Sequence, residues 1–303
     1  MRIKIFIVLI TCSLSAYAQQ EPQYTQYMYN MSMVNPGYMI NETGIVQVGS
    51  LYRTQWVGIE GAPKTANVFA NIPLNEKVEL SVNYLNDNIG GNINTSENVF
   101  NVNAAYKITL NNDLNMSFGL KAGFDHLNFS ASGSNVNNDP LFQNEKKTVL
   151  NIGAGVFLFK QHYYVGLSSP NLIPSDLNVN SSIVYKDKAH VFLIGGYVFD
   201  VNNDLKLKPS TVVKHVGGSP LSFDVSANAL YKERFELGVS YRYQDAISAL
   251  AGINVTPNLK IGYAYDFNTS LLKTYNNGSH EFILLYKFDV LGLSKKYSSP
   301  RFY

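Results

Sequence analysis

Much of the chain is written in a two-residue period. Val78, Leu80, Val82 and Tyr84 interleave with Glu79, Ser81 and Asn83, and Leu114, Met116, Phe118, Leu120, Ala122 and Phe124 with Asn115, Ser117, Gly119, Lys121, Gly123 and Asp125. The same alternation runs through 221–231, through Phe235, Leu237, Val239, Tyr241 and Tyr243, and through Leu259, Ile261, Tyr263, Tyr265 and Phe267. A strand points successive side chains to opposite faces, so each run has one apolar and one polar face. Runs of about ten to twelve residues are long for a soluble sandwich but suit the ~9–11 residues with which a tilted strand crosses hydrocarbon. Aromatic residues recur at the strand ends, as at Tyr84, Tyr106, Phe159, Tyr197, Tyr231, Tyr243, Phe267 and Phe288, where the girdles of a membrane barrel sit. The polar faces, rich in Asn, Ser and Gly, suit a lumen that hydrogen-bonds to water.

The connections alternate as well. Tight turns at 73–76, 111–113, 160–162, 201–204, 232–234 and 256–258 alternate with longer connections through Pro63 and at 86–96, 130–147, 171–188 and 268–279. Outer-membrane barrels have short periplasmic turns and longer external loops. The expected fold is therefore all-β, a transmembrane antiparallel barrel of about 14 strands over residues 44–290. Residues 19–43 would form an N-terminal periplasmic or plug segment, and 291–303 a C-terminal periplasmic tail. Segments 151–167 and 191–199 alternate poorly. A soluble, exported β-sandwich adhesin is a competing reading, which fractionation with the outer membrane and a need for detergent would exclude.

The start of the chain supplies the setting. Arg2 and Lys4 precede the uncharged apolar run 5–14, and Ala16-Tyr17-Ala18 reads as a cleavage site, so residues 1–18 are expected to be a secretory signal peptide. The run is too short to span a bilayer. Cys12, the single cysteine, reads as a small apolar member of that run; as a lipidated residue it would be poorly preceded by Thr11. Cleavage would leave a chain without thiol chemistry. Taking Arg2 and Lys4 from the 24 basic residues leaves 22, against 22 acidic ones, a balance that argues against nucleic acid as a partner. The expected location is the outer membrane, in contact with its lipid.

Several motifs then carry a resemblance. Gln23-Tyr24-Thr25-Gln26-Tyr27 with Asn35-Pro36-Gly37, Tyr52-Arg53-Thr54-Gln55-Trp56, Gly61-Ala62-Pro63-Lys64-Thr65, Gly166-Leu167-Ser168-Ser169-Pro170, Gly278-Ser279-His280-Glu281 and Ser299-Pro300-Arg301-Phe302-Tyr303 resemble, in order, the PorP/SprF family of outer-membrane proteins. The resemblance implies a place in the type IX secretion and gliding-motility machinery, alongside its other components. It also implies a role in export or surface anchoring of an adhesin-like secreted partner that carries a type IX C-terminal sorting domain. It implies no enzyme and no cofactor.

Two groups of residues are candidate sites. Trp56, the only tryptophan, stands beside Arg53 and Gln55 in an expected external loop, and Trp and Arg are favoured interface anchors. With Phe142 and Leu172 from other loops these form a candidate partner-binding set; the alternative is that Trp56 sits in the girdle and Arg53 braces the loop. Tyr24, Tyr27, Tyr29, Asn35 and Pro36 belong to an apolar, aromatic stretch (21–40) that would aggregate if exposed. Its place after the signal puts it at the periplasmic mouth, either folded into the lumen or against the rim, or extended as a leader that orders only the first strand. The histidines at 126, 162, 190, 215 and 280 form no metal-binding spacing, and no G-x-S-x-G occurs. His280 reads as a hydrogen-bonded strand-end residue. The functional alternative to partner anchoring is a channel or transporter for small or hydrophobic solutes.

Overall fold

The computed structural model describes residues 23–111, 113–131, 144–174, 176–179, 182–186 and 188–290. Its strands are β1 (Ile45–Thr54), β2 (Lys64–Pro73), β3 (Val78–Gly90), β4 (Ile93–Asn111), β5 (Leu114–Ala131), β6 (Glu145–Phe159), β7 (Tyr163–Asn171), β8 (Asp176–Val179), β9 (Ser182–Lys186), β10 (His190–Tyr197), β11 (Phe199–Asp200), β12 (Leu205–Val216), β13 (Ser222–Tyr231), β14 (Phe235–Arg242), β15 (Ala246–Thr256), β16 (Leu259–Asn268) and β17 (Ser279–Asp289). Fourteen of them close an antiparallel barrel. Each pairs with its neighbour in sequence, β7 with β10, β10 with β12, and β1 with β17 shuts the ring from Ile45↔Asp289 to Thr54↔His280. The hairpin of β8 and β9 lies apart, within the external connection between β7 and β10, and β11 only extends the ladder along β12. Residues 1–22, 291–303 and Phe142 lie outside the described residues.

Side-chain parity follows the alternation. Phe118, Leu120, Val225 and Leu237 face outward, Leu120 and Leu237 being the most exposed at 68% and 67%, while Ser117, Lys121 and Arg242 are buried inside and Asp224 joins them there. On one side of the barrel the outer boundary of the apolar belt is a single row. Tyr84 is paired with Phe100, Phe100 with Phe124 and Phe124 with Leu150, all exposed. Above that row the outward positions become polar: Asn86, Asn98, His126 and Thr148, then Asn88, Ser96, Asn128 and Lys146. Strands β3 to β6 thus continue as a polar palisade above the membrane. This corrects the expected loop at 86–96. Those residues are the solvated ends of β3 and β4, joined at Gly91-Asn92, and their Asn and Ser content reflects water on the outer face rather than a break in the ladder.

The interior corrects a second expectation. The lumen is a packed core, with the N-terminal segment laid inside it. One apolar cluster joins Tyr27, Met28 and Tyr29 to Leu51, Phe69, Leu250, Ala264, Ile283 and Leu285 on the wall. A second joins Met31, Tyr38 and Ile40 to Phe157, Phe159, Tyr164 and Ile194, with Phe157 set edge-on to Tyr38 and stacked on Tyr164. This explains the poor alternation of 151–167 and 191–199: there the inward face is apolar too, because it packs against protein and not water.

Outward positions should therefore resist charge according to depth. Leu120→Arg, near mid-belt, is expected to cost ~2–4 kcal/mol of barrel stability and Asn98→Arg, above the aromatic row, ~0–1 kcal/mol. Urea unfolding in lipid vesicles measures both, and equal costs would contradict the assigned boundary.

Candidate functional site: the lumen segment and the external face

Residues 23–43 run lengthwise through the barrel. A buried backbone must find partners for its N–H and C=O groups, and here the wall supplies them from end to end. At the external end the Glu281 carboxylate accepts the Thr25 N–H (2.9 Å) and the Gln26 N–H (2.7 Å). Arg53 Nη1 donates to Glu281 (3.0 Å) and to the Thr25 hydroxyl (3.1 Å), and its Nη2 to Asp266 (2.7 Å). The Thr25 hydroxyl in turn donates to Asp266 (2.7 Å). All three charged side chains are at most 2% exposed. Arg53 and Glu281 are directly opposed across the β1–β17 seam, so one clasp holds both the segment and the closure of the ring.

Further down, Tyr27 donates to Ser210 (3.3 Å) and Tyr29 to Glu236 (3.1 Å), which also pairs with Lys260; the Lys260 ammonium lies 4.7 Å from the Tyr29 ring centre. Asn30 donates to Asn67 (2.7 Å) and Asn83 (3.1 Å), and Asn103 donates to the Ser32 carbonyl (2.7 Å). At the periplasmic end Glu79 accepts the Ile40 N–H (2.8 Å), and Lys287 pairs with Glu42 (2.8 Å). Tyr24 lines a cavity of about 100 Å³ with Tyr27, Val34, Phe192, Val212 and Arg242.

Asn35, Pro36 and Gly37 make the tightest approach to the wall. Asn35 donates to the Val156 carbonyl (3.0 Å) and accepts from the Gly37 N–H (2.8 Å), while Ser117 donates to the Gly37 carbonyl and Ser168 to that of Val34 (2.8 Å). The turn sits over Gly119 and Gly155. A Cβ on Gly119 would meet the Pro36 and Gly37 backbone, and one on Gly155 the Asn35 side chain. Inward glycines here make room for another piece of backbone.

The course of the segment differs from a placement at the periplasmic mouth: Thr25 lies among the external ends of β1, β16 and β17, and the chain descends to Ile40. Arg53, grouped by sequence with Trp56, is turned into the lumen and does not face an external partner. Gln55 and Trp56 do lie in the external loop, both half-buried. The Gln55 N–H bonds the Pro63 carbonyl (3.0 Å), and Trp56 holds φ 46° with its N–H on Ser279 Oγ (3.2 Å). Hydrogen bonds between Val57 and residues 277 and 278 tie this loop to the last external loop. Leu172 is exposed, as are Val57, Ile173, Leu221, Leu271 and Tyr275, the last two at 91% and 74%. Tyr275 is absent from the sequence-based set, although an aromatic residue in a long external loop was a visible signal. His280 bonds the Tyr263 hydroxyl (2.7 Å), as a strand-end residue.

Fold and lumen together define an outer-membrane β-barrel filled by its own N-terminal segment. The chain belongs to the family described as type IX secretion system membrane protein PorP/SprF, which it matches over residues 16–286. No curated protein matches it. Among solved structures it is similar to the Ralstonia pickettii toluene transporter TbuX (9% identity, 84% of this chain and 92% of that one, TM-score 0.53). It is also similar to the monoaromatic hydrocarbon channel CymD (12% identity, 87% and 92%, TM-score 0.51). At such identities the likeness shows the barrel fold.

Two substitutions test the seating. Arg53→Ala would leave Glu281 and Asp266 buried without their cation and is expected to cost ~3–5 kcal/mol; Gly119→Val should unseat the Asn35–Gly37 turn. Both should lower the melting temperature of the detergent-solubilised barrel, and wild-type melting for both would contradict this geometry.

Proposed function

We propose that the barrel holds a secreted partner at the cell surface, the partner docking through its C-terminal sorting domain on the external loops. The supporting observation is the pairing of a filled lumen with an external face that carries unburied apolar side chains. Among the described residues Leu271, Tyr275, Val57 and Leu172 are exposed, and such side chains inside a polar rim are what an interface buries. Trp56 adds to this, since a bulky residue at positive φ is backbone strain of the kind that clusters at functional sites. Membership of the family supplies the class of partner, a protein of the type IX pathway. The barrel is read as a binding and assembly protein without catalytic residues.

A channel for small or hydrophobic solutes is the second reading. It is favoured by the likeness to barrels described as a toluene transporter and a monoaromatic hydrocarbon channel, and by the cavity beside Tyr24 and Tyr27.

Alanine substitution of Trp56, Phe142, Leu172, Leu271 and Tyr275, singly and together, separates the two. Docking predicts loss of the displayed partner, ~1–3 kcal/mol for each residue that acts as an anchor, with barrel melting and toluene uptake unchanged. Full display with the combined variant would overturn the docking reading.

A further inference from the structure

Strand β6 has an unfinished edge above the membrane. On its β5 side the ladder runs without a break from Asn115↔Phe159 to Phe129↔Glu145. On the β7 side it runs only from Phe159↔Tyr164 to Ala154↔Ser169, with one last bond from the Leu172 N–H to the Ile152 carbonyl (2.8 Å). Strand β7 leaves β6 there for a local reason: its register slips between Ser168 and Asn171, and past the Leu172 bond the next position of the same parity is Pro174, which carries no N–H, while the chain departs toward the β8–β9 hairpin.

Alternation identifies the unused groups. In an antiparallel ladder the N–H and C=O of one residue point to the same side, and successive residues to opposite sides. The Lys160 N–H bonds the Tyr163 carbonyl and the Ile152 carbonyl accepts from Leu172, so even-numbered positions face β7. Leu150, Thr148 and Lys146 therefore turn their main-chain groups to the open edge, where no strand pairs with them among the described residues. Leu150 lies in the aromatic boundary row, and Thr148 and Lys146 stand above it, Lys146 about 13 Å along the strand. All three side chains are exposed.

We propose that this edge accepts a strand from the secreted partner, extending the β3–β6 palisade by β-augmentation. The inference rests on the surface-holding reading above. The occupant is an extended segment of an exported β-domain with a carboxylate side chain opposite Lys146, the exposed cation on this edge. A second barrel fits less well. Two copies inserted with the same orientation are related by an axis along the membrane normal, which sets their β6 strands parallel and denies them the antiparallel ladder used throughout this sheet. A lone lysine is also how proteins blunt an edge they do not use, and the experiment must discriminate between those roles.

Proline at an even position removes a donor from the open edge alone and leaves the bonds to β5 intact. Surface proteins lost when the whole chain is deleted serve as the probe. The proposal predicts that Lys146→Pro/Thr148→Pro releases the same proteins at least ten-fold, with barrel melting unchanged, while Thr148→Val retains them. Retention by the proline variant overturns the edge and leaves the surface-holding reading standing; if deletion of the chain releases nothing, both fall. Hydrogen exchange on the wild-type barrel covers the case in which the proline variant does not fold. The Lys146 and Thr148 amides should exchange freely in the isolated barrel and slow at least ten-fold in complex with the released protein. Protection already present in the isolated barrel overturns the proposal, whether it vanishes on deleting 175–187 (this chain's own loop) or on dilution (a second copy).

Discussion

The buried clasp of Arg53, Glu281 and Asp266 is the interaction on which the rest depends. Two carboxylates inside a barrel are tolerable only with a cation and further donors, and the donors are the Thr25 and Gln26 amides and the Thr25 hydroxyl. Because Arg53 and Glu281 also face each other across the β1–β17 seam, the same charges that receive the N-terminal segment join the first strand of the barrel to the last. Ring closure and lumen filling are thus coupled. Motifs far apart in the sequence, Gln23–Tyr27, Tyr52–Trp56 and Gly278–Glu281, meet in this cluster, and Gly166–Pro170 meets the Asn35–Gly37 turn where Asn35 lies against Gly166, with Ser168 on the adjoining Val34 carbonyl.

Below the clasp the lumen alternates between apolar clusters and short polar links. The Tyr27–Tyr29 turn and the Met31–Val34 turn bury their aromatic and thioether groups against Leu51, Phe69, Phe157 and Tyr164, which supplies the hydrophobic contribution. The Asn and Ser side chains of the wall satisfy the backbone that such short turns leave unpaired. The wall is therefore polar where the segment shows backbone or polar side-chain groups and apolar where it shows aromatic and thioether surface. A water-filled pore would have no reason for that pattern.

Much of the barrel was legible in the sequence, because a strand between lipid and lumen must alternate and β1–β5 and β12–β17 do so with few exceptions. Two kinds of information were not legible. Asn86, Asn88 and Ser96 read as a loop, since polarity alone does not distinguish a solvated strand end from a turn. The course of residues 23–43 was hidden for another reason: position after an expected signal peptide points their start to the periplasm, whereas burial and pairing carry Thr25 to the external end. The inward role of Arg53 was available in principle. Leu51 and Arg53 share a parity opposite to Tyr52, and Glu281 and Asp266 fall on the inward parity of their own strands, but the neighbouring Trp56 drew Arg53 into an external group.

Planar-bilayer conductance of the purified barrel, with and without residues 20–38, tests the filled lumen most directly. The account predicts that the intact protein is electrically silent and that the shortened barrel, still folded by its heat-modifiable migration, gives steady ohmic openings, since an unfilled ring of fourteen strands encloses an aqueous path. An intact barrel that conducts as well as the shortened one would contradict it.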